Sequence, residues 1–400
     1  MAKTTVTLAS GREMPLVGFG LWKVPKATAA DTVYNAIKAG YRLFDGAYDY
    51  QNEKEAGEGI RRAISEGLVT REEIFITTKL WNNYHRREHA LDMAKKQNEA
   101  WGLGYIDLFL IHFPCALKYI DPEVRRYPAW WMDDNGTVEQ DRVPIRETWE
   151  ALENLVESGI AHSIGVSNFQ TQSLYDIQTY NRHPISSLQI EHHPYLVQPD
   201  LIKMAQGASI VVTAYSSFGP QSFLELPPAF SKKAKDIPLL FDAEPVKALS
   251  AKYNVTPAQV LLRWATQRNI AVIPKSNNPS RLSQNLNVLG FDLEESEIES
   301  ISNLNRGLRF NDPGFIFPII LSVSLVNAEN IDMLYLAFSE TLPTPKWRQE
   351  QLQGTGYYEL SIPEYLTPNP NQDDTTLQPH AEIPSVTAAF QGLTLLPSAA

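Results

Sequence analysis

Eight short, strongly apolar segments recur along the first 275 residues of this 400-residue chain. Most of them are separated by amphipathic segments with the spacing of helices. Each run is apolar throughout rather than alternating, which is typical of parallel strands that are covered on both faces. The sequence therefore predicts strands near residues 16–20, 41–46, 74–79, 106–112, 162–167, 187–191, 209–214 and 270–274.

Regular alternation of strands and helices predicts an α/β fold of the (β/α)8 TIM-barrel type. The clearest helix signal is TPAQVLLRWATQR, in which Thr256 is a good N-cap and Pro257 suits the first turn. The rival fold is a doubly wound sheet, which normally carries a glycine-rich phosphate turn after its first strand. Gly18 and Gly20 are present here, but Lys23 occupies the third glycine position of that turn. The barrel is therefore favoured.

Three further segments fit around such a barrel. TVTLASGREMP, before the first strand, predicts a hairpin that turns at Ser10 and Gly11 and closes the bottom of the barrel. Long loops are predicted after strands four and seven, at residues 113–145 and 215–241. Long loops at the carboxyl ends of barrel strands are where such folds build their pockets.

Charge and cysteine content exclude several classes of protein. The net charge is −11, and residues 316–400 hold nine of the acids against two bases, so the main body is nearly balanced. No basic stripe for nucleic acid is present, and no apolar run reaches the ~20 residues that span a bilayer. The first 15 residues lack the apolar core of a signal peptide. We expect a cytoplasmic protein without nucleic-acid or membrane partners.

Metal and disulfide chemistry is not indicated. Cys115 is the only cysteine, which excludes an intrachain disulfide and a cysteine-based zinc site. His192 and His193 are adjacent, and neighbours in a strand point to opposite faces, so structural roles are favoured over a metal pair. We therefore expect no metal.

Four polar residues fall at or just beyond the ends of successive predicted strands. Asp45 and Tyr50 follow the second strand, Lys79 ends the third and His112 ends the fourth. In a barrel these positions meet on the carboxyl-end face. The pKa of a free tyrosine is near 10, too high for an acid at neutral pH. A lysine cation held by an aspartate would lower that pKa, so the group is a plausible proton-delivery device.

At this point the sequence resembles the aldo-keto reductases, and within them the xylose reductases of fungi, over about residues 5–313. The matching stretches are MPLVGFGLWKV, YRLFDGAYDYQNEKEAG, TTKLWNN, LFLIHFP, SIGVSNF, LQIEHHPYL, TAYSSFGPQSF, TPAQVLLRWATQR, AVIPKSNNPSRL and LRFNDP. The resemblance implies a catalytic tetrad of Asp45, Tyr50, Lys79 and His112. It implies direct hydride transfer from a nicotinamide to a carbonyl, with Tyr50 as proton donor and His112 orienting the carbonyl.

The same resemblance implies a nicotinamide cofactor. Ser167, Asn168 and Gln189 match carboxamide ligands, and Tyr215 matches the aromatic residue that stacks on the nicotinamide. The family's pyrophosphate loop matches Ser216, Ser217, Gln221 and Ser222. Its site for the adenosine 2′-phosphate matches Lys275, Ser276, Asn277 and Arg281, and its adenine contacts match Gln284 and Asn285. Two cations at one phosphate favour NADPH. The Asn277 amide could instead bond a free ribose hydroxyl, so we expect NADH to be usable.

For the substrate, Trp22, Asp49, Phe113 and Asn311, together with His112, match positions that line the aldose pocket of the family. Groups that bond hydroxyls favour an open-chain aldose, with D-xylose to xylitol the leading expectation. Two alternatives stay open. One is a related reductase for another aldehyde, such as glyceraldehyde or a uronate-derived aldehyde. The other is a cofactor-sensing regulatory subunit built on the same barrel. Both monomers and homodimers suit the fold.

The sequence departs from the family at two places. Gln51 replaces the glycine that usually follows the catalytic tyrosine, and a left-handed backbone there would cost roughly 1–2 kcal/mol. The second departure follows Asn311, where the relatives soon end but this chain continues. We predict a barrel domain over 1–315 and an atypical extension over 316–400, proline-rich and largely irregular or disordered.

Overall fold

The computed structural model describes residues 4–125, 139–226, 228–276 and 278–312. Its strands are β1 Thr5–Thr7, β2 Glu13–Pro15, β3 Gly18–Gly20, β4 Leu43–Asp45, β5 Phe75–Leu80, β6 Leu108–Ile111, β7 Ile164–Ser167, β8 Ser187–Glu191, β9 Val211–Tyr215 and β10 Ala271–Val272. Its α-helices are α1 Lys26–Ala39, α2 Glu53–Ser65, α3 Arg87–Trp101, α4 Ile145–Glu157, α5 Thr171–Gln178, α6 Pro199–Gly207, α7 Pro228–Lys235, α8 Glu244–Tyr253, α9 Pro257–Thr266, α10 Pro279–Leu286 and α11 Glu295–Ser302.

Strands β3 to β10 form one parallel sheet in chain order, each strand beside the next. The two edges meet through a parallel bridge between Val17 and Val272 and a hydrogen bond from Val272 N to Leu16 O of 2.8 Å. A Cβ on Gly20 would lie 2.6 Å from the Ile273 carbonyl oxygen, so this seam requires glycine. The predicted (β/α)8 barrel is confirmed.

The amino-terminal hairpin covers the end of the barrel opposite the site. Strands β1 and β2 pair in antiparallel register, with Val6 opposite Met14, and the turn contains Gly11 with a φ of +83°. Val6, Leu8 and Met14 pack in one buried cluster with Leu43 and Phe75, which lie at the start of β4 and β5. The predicted hairpin and its position are confirmed.

Helix α9 begins as the sequence predicts. Thr256 accepts from the Gln259 backbone amide, Gln259 reaches back to the Thr256 amide, and Pro257 occupies the first turn. This capping box satisfies two amides that would otherwise lack partners. The helix buries Trp264 and three leucine or valine side chains against the barrel.

One of the two predicted long loops contains a helix that the sequence did not indicate. The predicted loop 215–241 contains a 3-10 turn at Gly219–Ser222 and the helix α7. The other long loop, predicted at 113–145, is described up to residue 125 and again from 139, so residues 126–138 lie outside the described residues. The predicted boundary at 315 and the extension 316–400 lie outside the described residues too and stay predictions.

Among the helices that the structure describes, none has the length and apolar character needed to cross a membrane.

Candidate active site

Two of the residues predicted for the tetrad, Asp45 and Tyr50, contact Lys79, whose side chain is fully buried. Its Nζ donates to Asp45 Oδ1 at 2.6 Å, to the Gly46 carbonyl oxygen at 2.7 Å and to Tyr50 Oη at 3.2 Å. Asp45 ends β4, Lys79 lies near the end of β5, and Tyr50 ends the 3-10 turn that follows β4. The ammonium thus stands between a carboxylate and a phenol, as the sequence predicts.

The second carboxylate oxygen of Asp45 is also bound. Gln189 Nε2, on β8, donates to Asp45 Oδ2 at 2.7 Å. A carboxylate paired with a lysine accepts hydrogen bonds only, so the amide nitrogen of Gln189 must face it. The amide oxygen is therefore turned away from Asp45, available as an acceptor.

His112 follows β6 and packs beside Tyr50 and Trp81. Its ring is 6.1 Å from the Tyr50 ring and 5.3 Å from Trp81, centroid to centroid. His112 Nδ1 is 3.3 Å from Asp49 Oδ1, but neither atom makes a hydrogen bond in the described part of the chain, so the pair is close without being aligned. The backbone carbonyl of His112 accepts from Asn168 Nδ2 at 2.9 Å.

The turn that carries Tyr50 is anchored by the residues that follow it. Gln51 has a φ of 60°, the left-handed conformation in which the family usually has glycine. Asn52 Nδ2 donates to the carbonyl oxygens of Leu21 and Val24 at 3.0 and 2.9 Å. These bonds hold the turn against the loop after β3, which offsets the strain at Gln51.

Behind the same turn lies a buried carboxylate. Glu53 accepts from Thr78 Oγ1, from Gln97 Nε2 at 2.9 Å and from Trp101 Nε1 at 3.0 Å. Burial raises the pKa of Glu53 even though these three bonds oppose the rise. Since Thr78 adjoins Lys79, the bond ties the start of α2 to the strand that carries the ammonium.

A single cavity of about 760 Å³ opens above these residues. Among the described residues, it is lined by every side chain predicted for the site except Lys79, which lies behind Tyr50. The lining members are Trp22, Asp45, Asp49, Tyr50, His112, Phe113, Ser167, Asn168, Gln189, Tyr215, Ser216, Ser217, Gln221, Ser222, Lys275, Ser276, Arg281, Gln284, Asn285 and Asn311. The remaining predicted residue, Asn277, lies outside the described residues.

At one side of the cavity, hydrogen bonds with two asparagines fix the hydroxyl of Tyr215, the residue predicted to stack on the nicotinamide. Tyr215 Oη donates to Asn168 Oδ1 at 2.6 Å and accepts from Asn311 Nδ2 at 3.0 Å. Asn168 has a φ of 64°, and its backbone amide donates to Gln189 O at 2.9 Å. Burial raises the pKa of Tyr215, which keeps the phenol neutral. The ring plane is thereby held in place.

The other end of the cavity is cationic. Lys275 follows β10, and Arg281 lies in the first turn of α10. Asn278 caps this helix by accepting from the amides of Ser280 and Arg281 at 3.0 and 3.3 Å. A helix amino terminus beside two cations suits an anionic group.

Sequence reasoning missed several residues that shape the cavity. Lys23 Nζ donates to the Ser222 carbonyl oxygen at 2.6 Å, which joins the loop after β3 to the loop after β9. Burial lowers the pKa of Lys23, Glu225 opposes that effect, and Lys275 adds to it. Phe223 and Phe310 stack at 5.3 Å. Lys23 stands where a glycine-rich phosphate turn would have its third glycine, and this is the one sequence signal that marks it.

In the part of the chain that the structure describes, no three His, Cys, Asp or Glu side chains come together as metal ligands. His192 stacks on Trp264 and meets Arg268, whereas His193 bonds Glu191, so the two adjacent histidines diverge as expected. Burial raises the pKa of Cys115 to about 12, so its thiol is protonated at neutral pH.

Comparison with known proteins adds the family. A probable NAD(P)H-dependent D-xylose reductase of Aspergillus flavus is 59% identical over 322 residues, which are 80% of this chain and 100% of that protein. The corresponding proteins of Aspergillus fumigatus and Aspergillus niger are 59% and 57% identical over 313 residues, 78% of this chain and 98% and 97% of theirs. The model of the aldo/keto reductase family matches residues 16–306. The chain therefore belongs to the aldo/keto reductase family of oxidoreductases.

Proposed function

We propose that this protein reduces open-chain aldoses to alditols with NADPH preferred and NADH usable, and that D-xylose to xylitol is its main reaction. The observation that carries the proposal is the position of Tyr50, whose phenol lines the cavity with the Lys79 ammonium 3.2 Å away. The relatives named as NAD(P)H-dependent D-xylose reductases support the choice of substrate and cofactor.

In this proposal Tyr50 is the general acid. Lys79, held by Asp45 Oδ1 at 2.6 Å and 3.2 Å from Tyr50 Oη, stabilises the negative charge that Tyr50 acquires as it gives up its proton. Tyr50 then releases its proton to the oxygen of the substrate carbonyl as negative charge develops there. His112 orients that oxygen, and the reduced nicotinamide supplies the hydride when bound. General-acid assistance of this kind is worth about 10²–10⁴ in rate.

The residues of the cavity fit a nicotinamide dinucleotide. The Gln189 amide oxygen, turned away from Asp45, can accept from the carboxamide nitrogen, with Ser167 and Asn168 beside it. Tyr215, fixed through its hydroxyl, offers a flat ring for stacking. Ser216, Ser217, Gln221 and Ser222 line the proposed pyrophosphate segment.

The cationic end would take the adenosine 2′-phosphate. Lys275 and Arg281, with Ser276, would hold it, and Gln284 and Asn285 would contact the adenine. Asn277, proposed to bond a ribose hydroxyl of NADH, lies outside the described residues, so the use of NADH remains a prediction from the sequence.

Aldose recognition is proposed to rest on Asp49 and Asn311, with Trp22 and Phe113 as apolar walls. A site that bonds hydroxyls rejects analogues without them, because its polar groups would be left unpaired. This distinguishes a sugar reductase from one that takes simple aldehydes.

Steady-state kinetics would test the proposal. D-xylose, L-arabinose and glyceraldehyde would each be assayed with NADPH and with NADH. We expect kcat/KM to be highest for D-xylose with NADPH. A tenfold or greater preference for NADH would contradict the cofactor assignment, and a preference for glyceraldehyde would favour the alternative aldehyde reductase. Tight NADPH binding without turnover of any aldehyde would indicate the regulatory alternative.

A further inference from the structure

Glu191 is a buried carboxylate that the proposed chemistry does not use. It ends β8, two residues after Gln189, and its side chain has no exposed surface. Its two oxygens accept from the backbone amide of Phe310 at 2.9 and 3.1 Å and from that of Asn311 at 2.8 Å. His193 Nε2 lies 2.8 Å from Oε1. Four close contacts thus converge on one carboxylate.

Glu191 is charged in this setting. Burial alone would raise its pKa, but His193 and the amides of Phe310 and Asn311 outweigh that effect, and the net pKa is lowered. An ionised carboxylate accepts hydrogen bonds only, so His193 must donate its Nε2 proton. Hydrogen bonds from amides to a charged acceptor are stronger than those to a neutral one.

The segment that Glu191 holds reaches directly into the cavity. Asn311 donates to Tyr215 Oη at 3.0 Å, and the Phe310 ring stacks on Phe223. Earlier in the same segment, Leu308 is held by the Tyr195 carbonyl oxygen at 2.9 Å and Arg309 by Gln198 at 2.8 Å. Glu191 continues this series of attachments to the residues that line the cavity.

We infer that Glu191 is a positioning residue that determines substrate specificity, because it fixes Asn311 and Phe310 over the substrate end of the cavity. The inference rests on the proposed function, in which Asn311 contacts a sugar hydroxyl. Loss of the carboxylate frees the backbone of both residues. A hydroxylated aldehyde then loses a fixed partner, whereas a simple aldehyde, which makes no such contact, is affected little.

The test is E191Q, assayed with D-xylose and with propanal. Glutamine can accept through one oxygen only, and its amide nitrogen, itself a donor, would face the donors of Phe310, Asn311 or His193. We expect the KM for D-xylose to rise about tenfold, which corresponds to the loss of one hydrogen bond between Asn311 and a sugar hydroxyl. The KM for propanal, the kcat for both substrates and the NADPH Kd should stay within about twofold, because Asn168 still holds the Tyr215 hydroxyl at 2.6 Å. An equal change for both aldehydes, or none for D-xylose, would overturn the inference.

A matched control is E153Q. Glu153, on α4, is also a buried carboxylate that accepts from two successive backbone amides, but those amides belong to Arg182 and His183, which do not line the cavity, whereas Phe310 and Asn311 do. It should lower the melting temperature without changing the ratio of the two KM values. If E191Q does not fold, E191D carries the test under the same criterion, since it keeps the charge but is too short to reach both amides.

The two levels of the argument fail in different ways. If the wild-type enzyme does not reduce D-xylose in preference to propanal, the proposed function is wrong. If the wild type has that preference and Glu191 variants keep it, only the role of Glu191 is wrong.

Discussion

Gln189 and Asp45 are 144 residues apart in the chain, yet Gln189 Nε2 donates to Asp45 Oδ2 across 2.7 Å. Lys79 takes the other oxygen of the same carboxylate. Asp45 is therefore held on both oxygens, by the group that tunes the proposed acid and by a group that faces the proposed carboxamide site. The proposed acid site and the proposed carboxamide site are thus joined through Asp45.

Replacing Gln189 by methionine should affect both sites. The variant loses the donor to Asp45 and the proposed acceptor for the carboxamide, each a hydrogen bond with a charged or buried partner. We expect a fall in kcat of about tenfold and a rise in the NADPH Kd of about tenfold. Stopped-flow single turnover and fluorescence titration would measure them separately.

Gln267→Met is the control for that variant, because the Gln267 amide also uses both atoms, on Leu293 N and O at 2.8 and 2.7 Å, away from the cavity. It should change neither constant. If Gln189→Met leaves the NADPH Kd unchanged, Gln189 acts on Asp45 alone.

Tyr50→Phe should remove the proposed acid and little else. The ring remains, along with its contact with the Lys79 ammonium at 4.9 Å, but no proton can be delivered. We expect kcat to fall by about 10²-fold or more while the NADPH Kd stays within twofold. Tyr48→Phe, on the same turn and packed on Tyr84 at 5.4 Å, should keep most activity. Retention of more than a tenth of wild-type turnover by Tyr50→Phe would refute the assignment.

The convergence of the proposed tetrad could be predicted because the carboxyl ends of parallel strands meet on one face. Asp45, Lys79 and His112 needed only strand order and strand ends. Gln51 illustrates a partial success, since the glycine it replaces indicated the left-handed backbone now found at φ 60°.

The attachment of Asn311 to Glu191 could not be predicted. The two residues are 120 apart, and a glutamate at a strand end is ordinarily solvated. Its burial depends on where the segment after α11 returns, which no local pattern encodes. Helix α7 was missed because its segment PAFSKKAK is short and has three lysines in eight residues, within a stretch predicted as one long loop.

Lys275→Met should weaken the binding of NADPH and leave that of NADH almost unchanged. The lysine lines the cationic end of the cavity near Arg281, where a 2′-phosphate is proposed to bind. A charge-assisted bond to phosphate is worth about 1.5–3 kcal/mol, so we expect the NADPH KM to rise at least tenfold.

Lys247→Met is the matched control for the cofactor test, since Lys247 pairs with Asp242 on the surface at 3.5 Å. It should alter neither cofactor constant. Equal losses for NADPH and NADH in Lys275→Met would place Lys275 at the shared part of the dinucleotide instead.

The free energy of unfolding should fall as the pH is lowered from 6.5 to 4, because His85 is buried in its neutral form. His85 is only 3% exposed, and burial lowers its pKa from 6.5 to about 4. In that range the unfolded chain binds a proton that the folded chain refuses, so the free energy of unfolding falls as pH falls. His192 adds to the effect, since burial and Arg268 hold its pKa well below 6.5.

Urea unfolding at pH 7.5 and pH 5 would measure this loss. For His85 alone the difference is about 2 kcal/mol at pH 5, since each pKa unit corresponds to about 1.4 kcal/mol. His85→Gln cannot titrate, so its free energy of unfolding should depend less on pH by that amount. If His85→Gln retains the full wild-type dependence, the acid sensitivity arises from other groups.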